Sequence, residues 1–87
     1  MSMTVIDVRS KDEWNTGYLE GALHIEWHDI LQISTQISKD EQIYLYCRSG
    51  NRSEKATKIL LEAGFINAKN AGSINEASKL LGIEIIN

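Results

Sequence analysis

Apolar positions along the 87 residues follow two rhythms. Short β-branched runs have the look of strands, while three- and four-residue spacing has the look of helices. "TVIDV" predicts a short buried strand close to the N-terminus. "SKDE", from Ser10 to Glu13, has capping-box spacing and predicts a short helix that carries Trp14 and closes at Gly17. "GALHI", from Gly21 to Ile25, predicts a second strand. In "EWHDILQI", Trp27, Ile30 and Leu31 stand at helical spacing and predict a second helix. A polar connection, "STQISKDE", leads to "QIYLYC" (Gln42 to Cys47), the clearest strand and the one expected at the centre of the sheet.

The best helical pattern follows that strand. In "RSEKATKILLEAG", Ala56, Ile59, Leu60 and Ala63 share one face, Glu54 and Lys58 pair on the other, and Gly64 ends the helix. "FINAKNAG" predicts another strand. "SINE", from Ser73 to Glu76, is a second capping box, opening a helix that runs through Leu81 and stops at Gly82. The tail "IEIIN" reads as an edge strand or a packed end. Strands and helices therefore alternate about four times. The expected fold is α/β, a three-layer domain over residues 1–87 with a small, mainly parallel sheet flanked by helices and right-handed crossovers. In such sheets ligands bind beyond the carboxyl ends of the strands, and Cys47 stands at one of those ends.

Composition narrows the function classes. No proline is present, so glycine and polar residues must make the turns; apolar residues make up 43% and charged residues 24%, ordinary values for a globular domain. A net charge of −3 argues against a general nucleic-acid surface. One cysteine excludes an internal disulfide and a thiolate zinc site. No apolar stretch approaches the roughly 20 residues of a membrane span, and no basic-then-apolar leader precedes the first strand. The expectation is a cytoplasmic monomer without metal or organic cofactor, or a periplasmic one if a leader has been removed.

The candidate chemistry lies in "CRSGNRS". Cys47 ends a buried strand, and Gly50 and a helix start follow it. A short strand-to-helix loop with a glycine can turn several N–H groups inward as an anion nest, and the helix N-terminus adds more. Arg48 and Arg52 supply permanent charge, and Ser49, Asn51 and Ser53 supply further hydrogen bonds. A thiolate at the loop centre is stabilised, so Cys47 is expected to be more acidic than a free cysteine. The bland alternative is a small buried hydrophobe, which gives no packing reason for two neighbouring arginines. Cysteine phosphatases place five residues between cysteine and arginine, a spacing that would put the arginine at Ser53. Here four intervene and the arginine is Arg52. The tighter loop suits a cysteine bearing one extra sulfur better than a tetrahedral phosphate.

With these residues the sequence resembles a rhodanese domain, a sulfurtransferase module. "IDVRSKDEWNTGYLEGALHI" resembles the family's N-terminal pattern, and "YCRSGNRSEKATKILLEAGFINAKNAGS" resembles its active-site loop, helix, strand and turn. Together they cover over half the chain, and its length is similar to the minimal single-domain, phage-shock type. Tyr18 stands where histidine is common, Glu26 where proline is common, and Ser73 where a second glycine is usual. The resemblance implies that Cys47 attacks the outer sulfur of a donor such as thiosulfate and passes it, as a persulfide, to cyanide or a thiol. It implies that N–H groups from Arg48 to Ser53 hold the persulfide, while Arg48 and Arg52 bind the donor's oxyanion end. A persulfide carrier for a partner protein and a cysteine-based phosphatase or arsenate reductase are the alternatives.

Other residues weigh less. Asp7 and Arg9 close the first strand, as a salt bridge orienting the loop or as a solvated pair. His24 and His28 are expected on different elements with no third ligand, and a nested thiolate needs no general base from His24. Trp14 and Trp27 read as core or rim packing.

Overall fold

The computed structural model describes residues 3–87; the start of the chain at Met1 and Ser2, on which the expected absence of a leader bears, lies outside the described residues. Strand β1 is Met3–Asp7, β2 Tyr18–Leu19, β3 Leu23–His24, β4 Gln42–Cys47, β5 Ala68–Ser73 and β6 Ile85–Ile86. Helix α1 is Lys11–Trp14, α2 Asn51–Glu62 and α3 Ile74–Leu81, and a 3-10 helix runs from Trp27–Thr35. Four strands form a parallel sheet in the order β3-β1-β4-β5, which places β4 inside it, as its apolar run predicts. The fold is therefore α/β, with a mainly parallel sheet flanked by helices.

Side chains alternate across the sheet with period two. Ile6, Val8, Ile43, Leu45 and Cys47 point to one face, where Ala56 and Leu60 of α2 and Ile30 and Ile33 of the 3-10 helix cover them. Val5 and Tyr46 point to the other face, against Leu19, Ala71 and Ala77. Each fully buried large aliphatic side chain contributes roughly 1.5–3 kcal/mol. Both capping boxes form: the Ser10 and Ser73 side chains accept the N–H of Glu13 and Glu76, and each glutamate returns to its cap. Ser73, in place of a glycine, thus starts α3.

Three elements differ from expectation. The segment after Glu26 is a 3-10 helix because its buried residues, Ile30 and Ile33, repeat every three; Leu31 is 49% exposed and lies off that stripe. The second strand shrinks to Leu23–His24. Tyr18–Leu19, which carries no alternation of its own, pairs antiparallel with Ile85–Ile86 and turns the tail into half of a two-stranded ribbon. Among the described residues no helix is long and apolar enough to cross a membrane.

Candidate active site

Cys47 is the last residue of β4 and is fully buried. The chain then passes Arg48 and Ser49, both exposed, and turns into α2 at Gly50. Gly50 has φ 96°, in the left-handed region that a side chain resists. This turn aims the Gly50 N–H at the Cys47 sulfur, 2.9 Å away. Ser53, one turn into α2 and fully buried, places its Oγ 3.4 Å from the same sulfur. Burial pushes the Cys47 thiol up, but the Ser53 hydroxyl and the N–H groups of Ser53, Ser49 and Gly50 outweigh it and hold the thiol below its ordinary value. Burial alone fits a packed thiol. A set of donors converging on the sulfur fits a thiolate.

The two arginines part company. The Arg52 guanidinium turns to α1 and grips Glu13 as a fork, with Nη1 donating to Oε1 at 2.6 Å and Nη2 to Oε2 at 2.9 Å. That contact holds the Glu13 carboxyl down at about 2, against the desolvation that opposes it and with help from Ser10. Arg48 forms no ion pair among the described residues. It lines an open cleft of about 670 Å³ with Arg9, Asp12, Glu13, Thr16, Ile74 and Asn75. Asn51 is exposed at the first position of α2. The structure thus brings Gly50 and Ser53 to the sulfur, Arg48 to the cleft, and Arg52 to a clasp between α2 and α1.

Of the two readings left open for Asp7 and Arg9, the structure shows the salt bridge, at 2.7 Å and almost wholly buried. Arg9 also donates to the Gly17 carbonyl at 2.6 Å, so the pair ties the end of β1 to the approach of β2. His24 donates from Nε2 to the Arg9 carbonyl at 2.7 Å and stacks on Trp14, which stacks on Tyr18. Tyr18, where the resembled family commonly has histidine, therefore forms one end of an aromatic stack with Trp14 and His24. His28 lies on the separate 3-10 helix. Among the described residues no group of histidine, cysteine, aspartate or glutamate is arranged to hold a metal.

Two residues of the site escape the sequence reading. The sequence marks Glu13 as a helix cap, and nothing local marks a partner 39 residues away. Asn70 accepts the Ser53 hydroxyl at 2.6 Å and donates to the Gly50 carbonyl at 3.1 Å. Its position depends on a bulge: Leu45 pairs with Asn70 and Tyr46 with Gly72, so Ala71 is skipped.

A family model described as a rhodanese-like domain matches residues 1–79. The chain is 36% identical to an adenylyltransferase and sulfurtransferase of Lodderomyces elongisporus, over 87% of this chain and 19% of that protein. It is 34% identical to a sulfurtransferase of Allochromatium vinosum, over 70% of this chain and 57% of that protein. It thus spans a fifth of the first relative's length and little more than half of the second's. A solved rhodanese-like domain from Anabaena is 25% identical and superimposes with a TM-score of 0.85, covering 99% of this chain and all of that one.

Proposed function

The chain belongs to the rhodanese-like domain family, and from that premise we propose that it is a thiosulfate-type sulfurtransferase working through a persulfide of Cys47. The supporting observation is the donor set on the sulfur, above all the Gly50 N–H at 2.9 Å. The Cys47 thiolate attacks the outer sulfur of thiosulfate. A bond forms between the two sulfurs, the donor's own sulfur–sulfur bond breaks, and its electron pair leaves with sulfite. The persulfide anion then gives its outer sulfur to cyanide, forming thiocyanate, or to a thiolate, and the Cys47 thiolate is restored. Covalent catalysis divides one difficult transfer into two easier ones. The N–H groups of Ser49, Gly50 and Ser53 stay in place for both anions, so little must reorganise between the half-reactions. Arg48 meets the oxyanion end of the donor at the cleft, and Arg52 keeps the loop closed through Glu13.

The test is intact mass. Thiosulfate is expected to add one sulfur atom to the protein and cyanide to remove it. Aryl phosphates are expected to be poor substrates, because four residues rather than five separate Cys47 from Arg52. Efficient phosphate release with no gain of sulfur would overturn the reading.

A second reading, a persulfide carrier serving a partner protein, draws support from the arginines. With Arg52 held by Glu13, Arg48 is the loop guanidinium without an ion pair among the described residues, left for a small dianion. Turnover with thiosulfate and cyanide separates the two readings, and Arg48→Ala tests the oxyanion contact. For a small-anion enzyme, kcat/KM for thiosulfate falls about twofold to fivefold, as for an exposed charge contact, while transfer from an uncharged persulfide donor holds. Equal losses on both donors would leave Arg48 with a loop-shaping role only.

A further inference from the structure

Asn70 makes four contacts, each to a part of the loop or its support. Its Oδ1 accepts the Ser53 hydroxyl at 2.6 Å and the Gly72 N–H at 2.9 Å. Its Nδ2 donates to the Gly50 carbonyl at 3.1 Å and to Glu54 Oε1 at 3.4 Å. These four contacts fix which way the amide faces, since both donors meet the oxygen and both acceptors meet the nitrogen.

Ser53 has one hydroxyl proton and two acceptors within reach, Asn70 Oδ1 at 2.6 Å and the Cys47 sulfur at 3.4 Å. While Cys47 is a thiol, the shorter contact takes the proton, and the Ser53 oxygen faces the S–H with a lone pair. Once the sulfur is an anion, a charged acceptor competes for that proton and the hydroxyl can turn to it. Asn70 loses nothing it needs, because its oxygen keeps the Gly72 N–H. We infer that Asn70 is a positioning residue of this site, one that lends Ser53's proton to the Cys47 sulfur when the sulfur becomes an anion and takes it back when the sulfur is protonated. The inference rests on the sulfurtransferase reading for its purpose, but not for its test.

Asn70→Asp tests it. The carboxylate keeps an oxygen at Ser53, holds its proton more tightly than an amide does, and cannot donate to Gly50. Asn70 lies at the surface, so the change leaves the core untouched, and its direct charge effect on the nearby sulfur is read separately in the Ser53→Ala background. The charged groups around the network are Arg48 in the loop, Arg52 and Glu54 of α2, Glu13 of α1, Asp7 and Arg9 at the end of β1, and Glu76 of α3; Glu54 loses the Asn70 donor and meets the new carboxylate, a change that the Ser53→Ala background shares. Thiolate ultraviolet absorbance against pH, with the Cys47→Ser protein subtracted to remove the tyrosine signal, reads Cys47, the one cysteine of the chain. The expected result is a Cys47 titration about one unit higher than wild type, with sulfur uptake slowed near neutrality and recovered at higher pH. In the Ser53→Ala background the same substitution is expected to move the titration far less, because the proton in dispute is gone. Asn70→Gln, uncharged and one methylene longer, is expected to raise the titration by a smaller amount. An unshifted titration in both Asn70 variants overturns the inference. So does a shift of equal size with and without the Ser53 hydroxyl, which would be a direct charge effect. Absence of sulfur uptake by wild-type protein would instead sink the sulfurtransferase reading and leave these titrations standing.

Discussion

Cys47→Ser is expected to take up no sulfur from thiosulfate and to turn over at the uncatalysed background, while remaining folded. A serine hydroxyl is not ionised at neutral pH even among these donors, and it cannot form a stable bond to a sulfane sulfur. The fold is expected to survive because the replacement is nearly isosteric. The serine oxygen can accept the Gly50 N–H that now points at sulfur, so no buried donor is orphaned. The expected destabilisation is about 1 kcal/mol, the common size for a single substitution, read as a small drop in Tm. Intact mass after thiosulfate and thiocyanate formation are the two measurements. A Cys47→Ser protein that still gained a sulfur atom would remove Cys47 from the mechanism, because the chain has no second cysteine to take its place.

What the sequence disclosed of this site follows the reach of its signals. Both capping boxes, the apolar face of α2 and the buried strand ending at Cys47 are encoded within a few residues, and each forms where its pattern puts it. The pattern predicts a regular helix after Glu26 because Leu31 completes an i, i+4 spacing with Trp27, whereas Ile30 and Ile33, three apart, are the residues that are buried. Tyr18–Leu19 carries no alternation, and it becomes a strand only because Ile85–Ile86 returns to it. The loop residues around Cys47 are contiguous, so their shared field on the sulfur was legible. The direction of the Arg52 side chain was not, because it depends on Glu13, and the contribution of Asn70 depends on a bulge in β5. Local chemistry singles out Cys47 as the proposed nucleophile; the tertiary fold supplies the contacts around it.

Arg52→Ala is expected to lower sulfur transfer roughly ten- to a hundredfold, equivalent to about 1.5–3 kcal/mol for losing charge-assisted contacts. The loss falls on the rate of persulfide formation from every donor, charged or not. That pattern separates Arg52 from Arg48, whose loss discriminates between donors. The physical cause is the clasp. Glu13 accepts two bonds from Arg52 and two from Ser10, so one carboxylate joins the start of α1 to the first turn of α2. Without it the loop keeps its Gly50 turn but loses its tie to α1. Glu13→Gln retains a carbonyl oxygen for one bond and is expected to lose less. The pair also leaves an acid signature. Glu13 titrates at about 2 in the folded chain against 4.5 as its ordinary value, with the Arg52 contact the first cause. A depressed carboxyl adds stability that is fully present above the unfolded value and fades as pH falls from about 4.5 towards about 2. Wild type is therefore expected to lead Arg52→Ala in Tm by several degrees at neutral pH, by the scaling for a small domain, and to lose that lead across this window. A Tm gap that stays constant down to the lower end of the window would mean that Arg52 stabilises the loop by packing rather than through the Glu13 charge.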